Sequence, residues 1–125
     1  MIRIALPLSL LLAGATPAAA HDLSQHIDLP YLAADCAGYW RAVALKDGGA
    51  KEPMRRANAF LAAARAQAED GGSDLPFVVE NAQHRAEAQM RDATTNEGAR
   101  QALDDQETFC RSVGAALPAK WQLAE

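Results

Sequence analysis

Only two of the 125 residues are cysteine, Cys36 and Cys110, and they form no C-x-x-C pair. That absence excludes a thioredoxin-type redox motif, a zinc ribbon and covalent haem attachment. Aromatic side chains are scarce too, at 6% of the chain, so any core must be built largely from small residues in close contact. Val, Ile and Thr thin out after the first twelve residues, and no stretch alternates apolar and polar positions long enough for a strand. No unbroken apolar run approaches the roughly 20 residues needed to cross the ~30 Å hydrocarbon core of a bilayer. Basic residues are outnumbered, with 12 Lys and Arg against 16 Asp and Glu and a net charge of -4. Nucleic acid and anionic membrane surfaces are therefore excluded as main partners, because both require a basic patch. The sequence also lacks a Gly-rich phosphate loop, a G-x-S-x-G elbow and an H-E-x-x-H pair, and Ser24, Ser73 and Ser112 have no base beside them. These absences argue against an enzyme.

Alanine, by contrast, is abundant, with 29 residues. It is the strongest helix former, and together with the missing strand patterns it predicts an all-α fold. Arginine outnumbers lysine nine to three. With the alanine content, that ratio suggests a GC-rich bacterial genome.

The first 20 residues read as an export signal. Met1-Ile2-Arg3 supplies the positive start, Ile4 to Leu12 the apolar segment, and Ala18-Ala19-Ala20 the small-residue cleavage site. Cleavage after Ala20 leaves a chain with no later membrane-spanning segment, in a periplasmic or secreted setting where two thiols can oxidise. The expected organisation is a signal over 1–20, a loose mature start over 21–27 and a single helical domain over 28–125.

Four helical segments are expected in that domain. Asp28-Leu29-Pro30 opens the first, with proline where its missing N–H costs nothing, and Asp47-Gly48-Gly49 closes it. Its stripe is Leu29, Leu32, Cys36, Tyr39/Trp40 and Val43. Gly38, within this segment, marks a close approach by another helix or by the Trp40 indole. The second segment starts near Glu52-Pro53, buries Met54, Ala57, Phe60/Leu61, Ala64 and Ala68, and ends at Asp70-Gly71-Gly72. The third repeats the opening chemistry in Asp74-Leu75-Pro76 and turns Leu75, Val78/Val79, Ala82, Ala86 and Met90 inward. Thr94 with Glu97 fits a capping box for the fourth, whose stripe runs through Ala99, Ala102/Leu103, Gln106, Phe109/Cys110, Val113 and Leu117 to a stop at Pro118. Trp121 in the tail is expected to fold back over the bundle. The alternative is three helices, in which the third and fourth segments form one long helix. Thr94, Thr95, Asn96 and Gly98 are poor helix formers and favour the break.

The spacing of the two cysteines points to one structural disulfide. In an up-down-up-down bundle the first and fourth helices are antiparallel, and Cys36 and Cys110 then stand at matching levels on two apolar stripes. Metal binding rests on histidine. Cleavage after Ala20 would give His21 a free amine beside its imidazole, and His26 or His84 could complete a copper site with it. Glu80, His84 and Glu87 have the wrong spacing for a carboxylate-bridged di-metal bundle, and His84 lies about 200° round the helical wheel from Ala82, away from the core. Consecutive residues such as Asp104-Asp105-Gln106-Glu107 splay round a helix and cannot converge on one cation. The functional expectation is a small exported helical protein without catalysis, with a binding role toward another protein as an inhibitor, an immunity-type protein or a small chaperone. The alternative is a carrier of a small ligand or of copper.

Overall fold

The computed structural model describes residues 23–69 and 72–123; the export-signal reading and His21 lie outside the described residues. A short 3₁₀ turn, Leu23–Gln25, precedes α1 (Leu29–Lys46), α2 (Lys51–Gln67), α3 (Leu75–Asp92) and α4 (Glu97–Ala116), and a second 3₁₀ turn, Ala119–Trp121, follows. The fold is an all-α four-helix bundle with one disulfide, and the break between α3 and α4 rules out the single long third helix.

The Asp-Leu-Pro openings of α1 and α3 place proline in the first turn of each, as expected, but Asp28 and Asp74 hold the capping positions without a side-chain hydrogen bond to the helix. Asp47–Ala50 turns α1 into α2: Gly48 and Gly49 take left-handed φ values of 69° and 84°, and the Gly49 N–H donates to the Ala44 carbonyl at 2.8 Å. Two details differ from the sequence reading. α2 stops at Gln67, ahead of the Asp70-Gly71-Gly72 boundary. The cap of α4 is Asn96, whose side chain accepts the Ala99 N–H at 3.1 Å, while the Thr94 hydroxyl donates back to the Arg91 carbonyl at the end of α3. The Thr94–Glu97 capping box does not form, because Thr94 still belongs to the turn that closes α3.

α1 occupies the centre, with α2 and α3 packed along it. Arg56 of α2 reaches Trp40 of α1, as antiparallel neighbours joined by a short turn should. α3 runs parallel to α1: the Tyr31 hydroxyl donates to Asp74 at the start of both helices, and Gly38 lies against Val79 and Ala82 further along. A Cβ on Gly38 would come within 2.6 Å of the Ala82 Cβ and 2.8 Å of the Gln83 nitrogen, so the expected close approach is that of α3. α4 returns antiparallel and meets α1 around Cys36–Cys110, whose Cα atoms are 5.5 Å apart and whose side chains are fully buried. Arg85 of α3 and Gln106 of α4 both donate to Asp35 of α1, which ties three helices together beside the disulfide.

The apolar stripes of α1 and α4 need correction. α1 is buried on nearly every side: Ala33, Ala34, Ala37, Ala42 and Ala44 are covered as completely as the large residues, while Leu32 and Val43 of the expected stripe are only half-buried. In α4 the buried stripe is confined to Cys110 and Val113, with Leu117 just beyond; Leu103 is half-buried and Phe109 exposed. No helix among the described residues is long and apolar enough to cross a membrane.

Candidate functional site

The small residues that let the helices approach also leave space where they diverge. Between α2, α4 and the C-terminal segment lies a cleft of about 320 Å³. Trp40 from α1, Phe60 from α2 and Trp121 from the tail supply its aromatic walls, Leu117 adds an aliphatic face, and Arg56 and Arg111 stand on opposite sides. The space exists because Ala59, Gly114 and Ala115 present almost no side chain to it. The Gln122 side-chain amide donates to the carbonyls of Ala115 at 3.1 Å and Leu117 at 2.8 Å. It thereby satisfies terminal carbonyls of α4 and pins the tail across the cleft. Trp121 does fold back on the bundle, half-buried against the core.

Both tryptophans carry a cation on one face. The Arg56 guanidinium lies 5.1 Å from the centroid of Trp40, and the Lys120 ammonium 5.6 Å from that of Trp121. Arg56 shares its carboxylate partner: Glu52 accepts from Arg55 at 2.7 Å and lies 3.4 Å from Arg56. The Arg55 hydrogen bond, aided by the charges of both arginines, holds the Glu52 carboxyl below its ordinary range. Arg111 pairs with Glu107 at 3.1 Å. Tyr39, next to Trp40 in α1, is pushed up to about 12, first by burial and then by Glu107 and Asp104, with Arg111 opposing. Aromatic faces and guanidinium donors around a small-residue floor offer apolar contact together with charged hydrogen-bond donors.

The histidines are not part of this cleft. His26 sits in the turn before α1, where its Nδ1 accepts the Asp28 N–H at 3.1 Å. His84 is exposed on α3 as expected, between Glu80 at 3.6 Å and Glu87 at 3.5 Å. Among the described residues no group of three or more His, Cys, Asp or Glu side chains converges as a metal site. Sequence reasoning found Cys36 and Cys110 and the inward turn of Trp121, but missed Arg56, Arg111 and the placing of both tryptophans on one cleft. The usable signal was a tryptophan placed just after Pro118 in a chain that has only two.

A second, wider groove of about 420 Å³ opens between the far ends of α1 and α3, bordered by Leu45, Met90 and Thr94. It lacks aromatic walls. No protein-family model matches this chain, and neither a curated protein nor a solved structure does.

Proposed function

We propose that this chain is a small exported bacterial protein, periplasmic or secreted, that captures another protein through the tryptophan cleft and performs no chemistry. The convergence of Trp40, Phe60, Trp121, Arg56 and Arg111 on one cleft carries this reading. Tryptophan and arginine are among the residues that dominate protein–protein binding energies, above all where they line a small desolvated pocket. At about 320 Å³ the cleft is at the small end of ligand pockets. The exported setting is supported by the signal-like start and by a disulfide, which persists in oxidising compartments.

Peptide display selection on the folded protein tests the cleft. Ala115 is an exposed lining residue, so Ala115→Phe fills the opening without disturbing the core. Selected peptides are expected to compete with one another and to lose binding to Ala115→Phe. Peptides that bind this variant as well as the parent would place the working surface elsewhere.

A further inference from the structure

The charges around the cleft are unevenly distributed. Among the described residues, Arg55, Arg56, Arg111 and Lys120 stand near it against the carboxylates of Glu52 and Glu107, a local positive excess on a chain of net charge -4. Glu52 is engaged through both oxygens by Arg55, at 2.7 and 3.1 Å, and so only partly answers Arg56. The Arg56 guanidinium lies over the Trp40 ring at 5.1 Å. A guanidinium carries five N–H donors in its own plane, more than one carboxylate engages. Arg111, an exposed side chain of α4, lines the same cleft.

We infer that the cleft takes a polypeptide segment in which a large apolar side chain stands next to a carboxylate. The apolar group enters between Trp40, Phe60 and Trp121, and the carboxylate meets Arg56 and Arg111. The inference rests on the cleft being the working surface. The cations set which apolar segments are accepted, because an approaching ammonium is repelled and a neutral neighbour leaves the guanidinium groups as they were.

Three blocked hexapeptides, acetyl-Gly-Ser-X-Phe-Ser-Gly-amide with X as Asp, Asn or Lys, test it on the intact protein. The two tryptophans both line the cleft, so intrinsic tryptophan fluorescence reports occupancy directly, with calorimetry as the second readout. The Asp peptide should bind about three- to tenfold more tightly than the Asn peptide, with Lys weakest. That advantage should shrink at high salt and in both Arg56→Gln and Arg111→Gln. Arg111 is exposed, so Arg111→Gln tests the charge even where loss of the Arg56–Trp40 stack disturbs the fold. Equal binding of the Asp and Asn peptides, both lost in Ala115→Phe, would overturn the anion requirement and leave the cleft standing. Undiminished binding to Ala115→Phe would remove the cleft itself. A tryptophan signal unmoved by any of the three peptides would also overturn the inference, while display selection judges the cleft independently.

Discussion

Tyr39 shows how one residue couples the core to the charges beside the cleft. Burial favours its neutral phenol, and the carboxylates of Glu107 and Asp104 add to the effect, raising it to about 12. The unfolded chain releases this proton near the ordinary value of 10. Between those values the folded state binds more protons than the unfolded one, so stability declines as pH rises through this window and is fully retained below it. With solvent screening the contribution at stake is about 1–2 kcal/mol. Urea titrations on either side of the window should show an alkaline loss that Tyr39→Phe largely abolishes; a variant with the same alkaline loss would mean that another group is responsible. Nothing near Tyr39 in the chain signals this, because Asp104 and Glu107 are more than sixty positions away. Arg56 and Arg111 escaped notice for the same reason. Helical periodicity sets them off the apolar stripes, and only the meeting of separate helices gives them Trp40 and the cleft.

At the scale of the helix, boundaries were legible and faces only partly so. Asp-Leu-Pro, the Gly48–Gly49 turn and the weak helix formers at 94–98 act through local chemistry, which one short stretch contains. Faces depend on which neighbour approaches, and large side chains reveal that better than alanines do. α1 therefore reads as a stripe of large residues, although its alanines are buried all round. Two glycines inside helices make the point testable. A Cβ on Gly38 meets α3 backbone and the Ala82 Cβ at 2.6–2.8 Å, whereas a Cβ on Gly114 meets only the Phe60 ring at 3.4 Å. Gly38→Ala should destabilise the fold by about 1–3 kcal/mol as α1 and α3 are forced apart. Gly114→Ala should be neutral or stabilising by up to about 1 kcal/mol, from helix propensity. Thermal denaturation of the pair decides it, and equal losses would contradict the tight α1–α3 contact.

For the whole molecule, the disulfide joins residues 74 apart and sits where α1 and α4 meet. Closing a loop of that length restricts the unfolded chain by about 4 kcal/mol in the chain-entropy account, a large share of a small domain's stability. Cys36→Ala with Cys110→Ala should lower Tm by roughly 15–30 °C, while circular dichroism at low temperature keeps its helical form. A Tm within a few degrees of the parent would show that packing alone holds α4. The central place of α1 also has a consequence in time. Synthesis runs from the N-terminus, so the helix with the fewest exposed faces is made before anything that can cover it. The 46 residues from Asp47 to Asp92 must follow before α2 and α3 are both complete, several seconds at about 5–20 residues per second. Through that interval α1 offers water only Asp35, Arg41 and Lys46 as charged groups, and Cys36 waits as a thiol for a partner that arrives last. Cys110 lies on the last helix, so the bond closes only after nearly all of the bundle has been made.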